Sequence, residues 1–185
     1  MKTVELTTPL DGKLLAELKS GDKVLLSGEI YTARDAAHKR LVALLENGEE
    51  LPFDLEGAVI YYVGPAPARP GQIMNSAGPT TSYRMDVYTP ILLDHGLKGT
   101  IGKGPRSRAV RESMVRNGAV YLAAVGGAAA GIASTVREAE VIAYEDLGPE
   151  AVRRLVVEKM PLFVVNDTAG NDLFEKGVAE YRRNR

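Results

Sequence analysis

The chain of 185 residues contains no cysteine and only two histidines, His38 and His95, which lie far apart in the sequence. Without cysteine, the chain by itself cannot hold a disulfide, a thiolate zinc site or an iron–sulfur cluster. Two distant histidines also argue against a histidine metal site, so we predict that this chain contributes no metal ligands. Any acid–base chemistry then depends on Asp, Glu, Lys, Tyr or an activated Thr.

The sequence also lacks an excess of charge of either sign. Its 23 Lys and Arg are balanced by 24 Asp and Glu, for a net charge of -1. We expect no binding to nucleic acid, because such binding depends on positive charge. No apolar run is long enough to span a bilayer, which predicts no membrane partner. The N-terminus shows no signal-peptide apolar segment, so the expected location is cytoplasmic.

Strand and helix patterns alternate along the chain, and no linker is long enough to divide it. We therefore predict one domain over residues 1–185, of the α/β class, with a largely parallel central sheet flanked by helices. The predicted helices are residues 10–18, 34–45, 85–95, 107–116, 148–159 and 171–183, and the predicted strands are residues 4–7, 23–28, 57–63, 97–102, 119–124, 140–144 and 161–165.

The most informative stretch is residues 76–86, which follows a proline-rich approach and contains the turn dipeptide Gly78-Pro79. Thr80, Thr81 and Arg84 come next, at the expected start of a helix. Unpaired N–H groups and the helix dipole favour anions at such an end, and Arg84 adds a planar donor fork suited to carboxylate or phosphate. The stretch thus predicts an anion site. The alternative is a threonine N-cap beside a surface arginine.

Two further junctions at strand ends carry cations. Arg34 and Asp35 are expected in the first turn of a helix capped by Thr32, where an arginine opposes the helix dipole. The alternative is a surface Arg–Asp pair of little energetic value. Gly102-Lys103-Gly104 lacks the spacing of a Walker motif, but its glycines let backbone approach a ligand beside Lys103. The alternative there is a glycine-rich turn with a solvated lysine.

In their order along the chain, the three junctions resemble the β subunit, or C-terminal domain, of the class I fumarase and L-tartrate dehydratase family. They are Thr32–Asp35, Gly78–Asp86 and Gly102–Gly104. The resemblance extends over nearly the whole chain and includes the turn Gly126–Ala130 and the segment Tyr144–Gly148.

Members of this family are iron–sulfur hydro-lyases that reversibly hydrate a dicarboxylic 2-enoate, usually fumarate to L-malate. The resemblance implies the swivelling β/β/α domain as the fold. It also implies a 4Fe-4S cluster held by three cysteines of a separate α subunit, in a heterotetramer of two α and two β subunits. The absence of cysteine from this chain agrees with that arrangement.

The resemblance also assigns roles to residues of this chain. Thr80 corresponds to the catalytic base, and Arg34, Arg84 and Lys103 correspond to residues that bind the substrate carboxylates. The residues that support them are expected to be Asp35, Gly78, Thr81, Asp86, Gly102 and Gly104.

The chemistry of these residue types suits such a reaction. Two arginines and a lysine can clamp a small dicarboxylate and stabilise the negative charge that develops on proton removal. A threonine hydroxyl is a poor base unless its surroundings are cation-rich and of low dielectric. We therefore expect the β subunit of a fumarase. The alternatives are the β subunit of L-tartrate dehydratase and a non-catalytic carboxylate-binding module.

Overall fold

The computed structural model describes residues 1–68, 70–124 and 129–183. Most of the turn predicted at residues 125–131 lies outside the described residues. The strands are β1 (Thr3–Thr7), β2 (Lys23–Thr32), β3 (Val59–Tyr61), β4 (Gly99–Gly102), β5 (Val120–Ala123), β6 (Val136–Ala143) and β7 (Val152–Asn166). The helices are α1 (Gly12–Ala16), α2 (Asp35–Glu46), α3 (Thr89–Asp94), α4 (Arg108–Asn117), α5 (Ala129–Ala133) and α6 (Leu173–Arg183), with 3₁₀ turns at Ser82–Met85 and Glu145–Glu150.

The strands form one seven-stranded sheet in the order β1-β2-β3-β4-β5-β7-β6, with an additional pairing between β2 and β7. Because β2 pairs with β3 along one edge and with β7 along the other, the strands β2, β3, β4, β5 and β7 close into a ring. β1 and β6 extend the sheet outside this ring. In the described part of the chain the α/β class is thus confirmed.

The sheet is mixed, which corrects the prediction of a largely parallel one. Four pairings are parallel, from β1–β2 to β4–β5. The three pairings made by β7 are antiparallel. The parallel neighbours β2, β3 and β4 place their C-terminal ends at one edge of the sheet, and this edge carries the candidate site.

The largest difference from the sequence prediction concerns residues 148–159, which were expected to be helical. They contain the first half of β7, a 15-residue strand. Val152 and Leu155 lie in the core as strand residues, where Val152 pairs with Ala143 of β6 and Leu155 pairs with both β2 and β6. Pairing along both edges and a valine-rich composition favour the strand over the helix.

The helix expected over residues 85–95 is also different. The structure has a 3₁₀ turn at Ser82–Met85, and α3 begins only at Thr89. Pro90 lies in the first turn of α3, where a residue without an N–H group and with a fixed φ is tolerated. The helix therefore begins at Thr89, beside the proline, and not at residue 85 as predicted.

The core has two layers separated by the sheet. Val59 and Tyr61 of β3 face a cluster inside the ring, whereas Ile60 and the following Tyr62 face a second cluster that packs against the helices α2, α3 and α4. This alternation is the two-residue period of a strand buried on both faces. Among the described residues, no helix has the length and apolar character needed to cross a membrane.

Candidate active site

Arg34 lies at the junction between β2 and α2, as the N-cap residue of α2. Its Nη2 atom is 3.1 Å from Glu150 Oε1 and 3.7 Å from Asp35 Oδ1. Thr32, which was expected to cap α2, instead has a buried hydroxyl that donates to the carbonyl of Ala151 at 3.3 Å. The N-terminus of α2 has no side-chain cap, and Arg34 projects from it toward carboxylates.

Thr80 and Arg84 belong to the segment that follows β3, and the fold brings this segment close to Arg34. The backbone N–H of Thr80 donates to the carbonyl of Tyr62 at 2.7 Å, which ties this segment to the end of β3. Arg84 Nη2 donates to Thr80 Oγ1 at 2.9 Å and lies 3.8 Å from Asp35 Oδ1. The Asp35 carboxylate therefore lies between the two arginines, and Oδ1 has no hydrogen-bond partner among the described residues.

Lys103 joins the same group from the end of β4. Thr81 and Lys103 form an isolated parallel bridge, in which Lys103 N donates to Thr80 O at 3.3 Å and Ser82 N donates to Lys103 O at 2.9 Å. The Lys103 side chain is exposed, which is also what the alternative of a glycine-rich turn with a solvated lysine predicted. The structure thus brings the backbone of all three junctions to one edge of the sheet, with the hydroxyl of Thr80 bonded to Arg84.

The backbone at this edge differs from the helix-end anion site that the sequence suggested. Thr81 precedes the 3₁₀ turn without forming a side-chain cap, and the N–H of Ser82 is already bonded to Lys103. The N–H of Ser82 is therefore not available to a ligand, and the charged side chains at this edge are Arg34 and Arg84, with the carboxylate of Asp35 between them.

The glycines near the site allow close packing of the chain on itself. A Cβ at Gly102 would lie 2.0 Å from Ser82 Oγ and 2.9 Å from the Tyr62 ring, so the space expected for a ligand is filled by protein. Gly104 has a φ of 82°, which a side chain would strain, and a Cβ added at Gly78 would lie 3.4 Å from the Cβ of Ala129. These glycines position the Thr80 segment against β4.

The partners of the Asp86 carboxylate are Arg106 and Ser107. Its Oδ1 accepts from Arg106 Nε at 2.7 Å, and its Oδ2 accepts from Ser107 N at 2.6 Å, so it links the 3₁₀ turn to the start of α4. Arg106 is fully buried between the rings of Tyr62 and Tyr121, with its Cζ 5.2 and 5.1 Å from their centroids. Asp86 thus supports the site through a buried ion pair.

Sequence reasoning missed Arg106, Glu150 and the role of His38. Arg106 and Glu150 each have ionic partners that are distant in sequence, and no local pattern indicates such pairs. His38 lies one helical turn after Arg34. This spacing is the one feature of the sequence that could have indicated a contact between the two residues.

His38 is completely buried and supports the backbone of Arg34. Its Nδ1 donates to the carbonyl of Arg34 at 2.8 Å. Burial lowers the pKa of His38 to about 4, although the carbonyl of Arg34 acts in the opposite direction. The imidazole is therefore neutral at pH 7, and Nε2 has no hydrogen-bond partner among the described residues.

We expect this lowered pKa to make folding stability depend on pH. The unfolded chain binds a proton at His38 below its ordinary pKa of about 6.5, whereas the folded chain does so only near pH 4, so stability falls as the pH falls from 6.5 toward 4. Between pH 7.5 and pH 5.5 the loss at this residue is about 1.4 kcal/mol. Urea unfolding at the two pH values measures it.

The only other histidine in the chain provides the control for this measurement. His38→Gln should remove the His38 contribution, whereas His95→Gln, at an exposed position, should leave it in place. An unchanged pH dependence in His38→Gln would contradict the assignment.

Among the described residues there is no group of three or more His, Asp or Glu side chains that could hold a metal ion. The chain also has no cysteine, so it supplies no thiolate to an iron–sulfur cluster. The described residues therefore do not fit a cluster site, whereas arginine and lysine side chains such as Arg34, Arg84 and Lys103 are of the kind that can bind a carboxylate.

Comparison with known proteins places the chain in a family. The family model described as Fumarase C-terminus matches residues 1–177. Fumarate hydratase 2 of Leishmania major is 38% identical over 180 residues, which are 95% of this chain and 32% of that protein. The anaerobic class I fumarate hydratase of Escherichia coli is 38% identical over 178 residues, 94% of this chain and 32% of the relative.

A relative of similar length is the putative L(+)-tartrate dehydratase subunit beta of Methanocaldococcus jannaschii. It is 39% identical over 173 residues, which cover 90% of this chain and 89% of the relative. The chain thus spans about a third of the length of the fumarate hydratases but nearly all of this subunit.

Proposed function

The chain belongs to the Fumarase C-terminus family, and from that membership we propose that it is the β subunit of a two-subunit iron–sulfur hydro-lyase. We propose that the enzyme interconverts L-malate with fumarate and water. The observation that supports this proposal is the meeting of Arg34, Thr80, Arg84 and Lys103 at the ends of three neighbouring strands.

The three cations are the part of the chain that binds substrate in this proposal. The guanidinium groups of Arg34 and Arg84 lie on either side of Asp35 Oδ1, at 3.7 and 3.8 Å, and each offers a planar fork to a carboxylate. Lys103, which directly follows β4, adds an exposed ammonium group. A small dicarboxylate can therefore be held at both ends, with its central carbons near Thr80.

Thr80 is the residue that we propose removes the proton. Its hydroxyl oxygen accepts from Arg84 at 2.9 Å, and this positive charge favours the deprotonated oxygen. The same arginine stabilises the charge that builds up on a substrate carboxylate when the neighbouring carbon loses its proton. Arg84 thus serves both the base and the substrate.

We propose that a 4Fe-4S cluster is carried by a partner α subunit, because this chain has no cysteine to bind it. A partner is also suggested by the match to a protein named as a beta subunit. The expected assembly contains two α and two β subunits.

We further propose that the domain swivels against that partner. The site is open on one side, where Arg84 has 37% of its side chain exposed and Lys103 is exposed. A partner surface can close this side, which would exclude water from the reacting atoms.

L-Tartrate dehydratase is the second candidate. The observation that favours it is the match over 89% of a protein named as its beta subunit, which has nearly the length of this chain. The two substrates share their terminal carboxylates, so the three cations suit both.

Co-expression with a cysteine-containing α subunit, anaerobic cluster reconstitution and assay against malate, fumarate and L-tartrate test the proposal. Turnover of malate and fumarate supports the fumarase, and dehydration of tartrate alone supports the second candidate. If the reconstituted complex turns over none of the three but still binds a dicarboxylate, the chain is a non-catalytic carboxylate-binding module.

The purified chain alone should have no hydratase activity and should bind no iron–sulfur cluster. The reason is that it supplies no thiolate ligand. Iron and sulfide analysis of the chain after anaerobic reconstitution, with the co-expressed complex as the positive control, measures this. Turnover by the isolated, iron-free chain would contradict the two-subunit proposal.

A further inference from the structure

The turn Glu145–Glu150, between β6 and β7, is held beside the candidate site although none of its residues is buried. Arg40 of α2 forms two hydrogen bonds with Asp146, at 2.8 and 2.6 Å. The guanidinium of Arg40 also lies 5.1 Å from the ring centroid of Tyr144. The first part of the turn is therefore fastened to α2, the helix that Arg34 precedes.

The last part of the turn is fastened to β2. Arg153 donates to the carbonyls of Gly148, Pro149 and Ala151, at 3.0, 3.1 and 3.3 Å. The hydroxyl of Thr32 donates to the carbonyl of Ala151 at 3.3 Å and accepts from the Arg153 backbone N–H at 3.1 Å. Since Thr32 ends β2, both ends of the turn are tied to the elements that flank Arg34.

These ties place one carboxylate of the turn against a substrate-binding arginine. Glu150 Oε1 lies 3.1 Å from Arg34 Nη2, and the two side chains are only 26% and 22% exposed. We infer that Glu150 is a positioning residue, which holds the guanidinium of Arg34 in the orientation that binds a substrate carboxylate. The inference rests on the proposed function, because that function gives Arg34 its ligand.

The remaining contacts of Arg34 agree with this role. Glu150 and the more distant Asp35 both approach Nη2, so the other donors of the guanidinium are not used by these carboxylates. Gly64 is also close to this side chain, since a Cβ added at Gly64 would be 3.1 Å from Arg34 Nη1. The arginine is thus confined between the turn and the backbone of residue 64.

A confined arginine loses less rotational freedom when it binds an anion, so its confinement increases affinity. Among the described residues no hydrogen bond or ion pair joins Glu150 to Thr80, so we assign Glu150 no part in proton removal. Its loss should therefore weaken substrate binding and leave the chemical step nearly unchanged.

The first test needs no activity. In the chain labelled with ¹⁵N-arginine, NMR of the Arg34 guanidinium should show slow rotation about the Nε–Cζ bond, with the signal assigned by its loss in Arg34→Lys. In Glu150→Ala this rotation should become fast, so that the separate Nη signals of Arg34 average. Glu150→Gln should retain part of the slow rotation. Glu145→Ala is the matched control, because it removes the same charge from an exposed position in the same turn.

The second test uses the reconstituted complex. Glu150→Ala should raise KM for the dicarboxylate about tenfold while kcat changes by no more than about twofold. Glu145→Ala should leave both values unchanged. In the Arg34→Ala background, Glu150→Ala should have little further effect on kcat/KM, because the residue acts through Arg34.

Three results would overturn the inference: an unaltered Arg34 signal in Glu150→Ala, a lower KM in that variant, or additive effects in the double mutant. A lower KM would mean that Glu150 competes with the substrate for Arg34. A wild-type complex that is inactive on every dicarboxylate would overturn the proposed function instead, and the NMR experiment would still decide whether Glu150 holds Arg34.

Discussion

Thr80→Ala is expected to lower kcat of the reconstituted enzyme by on the order of 10²-fold or more, because it removes the hydroxyl that we propose takes the substrate proton. Thr80→Ser keeps a hydroxyl at the same position and should retain part of the activity. Steady-state kinetics with malate and with fumarate measure both variants, each in the complex with the α subunit.

The fold should survive the loss of Thr80. The side chain is partly exposed, and its one hydrogen bond among the described residues is the bond from Arg84. Such a bond contributes about 0.5–1.5 kcal/mol to stability, so the Thr80→Ala chain should remain folded at room temperature. Thermal melts of each variant provide this control.

A different outcome would reassign the residue. If Thr80→Ala keeps nearly normal kcat while Arg84→Lys raises KM and lowers kcat, the hydroxyl serves only to orient Arg84, which bonds to it at 2.9 Å. The proton would then be taken by Lys103 or by a residue of the α subunit, and the hydro-lyase proposal would stand without Thr80 as base.

Arg106→Leu is expected to destabilise the chain by about 3–5 kcal/mol, because removal of one partner leaves a poorly solvated charge behind. Arg106 is fully buried, and the Asp86 side chain that it contacts is only 11% exposed. Arg106 also donates to Thr100 Oγ1 at 3.0 Å and to Thr89 Oγ1 at 2.8 Å. The substitution therefore removes the charged partner of Asp86 Oδ1 and one donor from each of two buried hydroxyls.

Arg108 is the matched control for this prediction. It forms an ion pair with Glu112 at 2.7 Å one helical turn away, but its side chain is 85% exposed. Arg108→Leu should therefore leave the free energy of unfolding nearly unchanged, because solvent screens an exposed ion pair. Urea unfolding of both variants at pH 7 gives the comparison, and equal losses would contradict a structural role for the buried pair.

Arg106→Leu should also disturb the site indirectly. Asp86 follows the 3₁₀ turn that carries Arg84, and it joins this turn to Ser107 at the start of α4. If the turn moves, Arg84 loses its position beside Thr80. Lower activity in a variant that is still folded at the assay temperature would show that the buried pair supports the substrate clamp.

The sequence alone determined where the candidate site lies along the chain. Arg34 and Lys103 were placed at strand ends, and the structure puts both there. This succeeded because strands and turns have strong local patterns, and because the C-terminal ends of parallel neighbours meet at one edge. The absence of cysteine likewise determined, without coordinates, that this chain has no thiolate for a cluster.

The tertiary structure decided what surrounds those residues. Whether residues 148–159 form a helix or a strand depended on the pairing of β7 with β2 and β6, and local spacing carries no information about such partners. The pairs Arg34–Glu150 and Asp86–Arg106 likewise join residues that only the folded chain brings together. Ion pairs between distant segments form because the closed sheet brings the segments together, so their geometry follows from the fold.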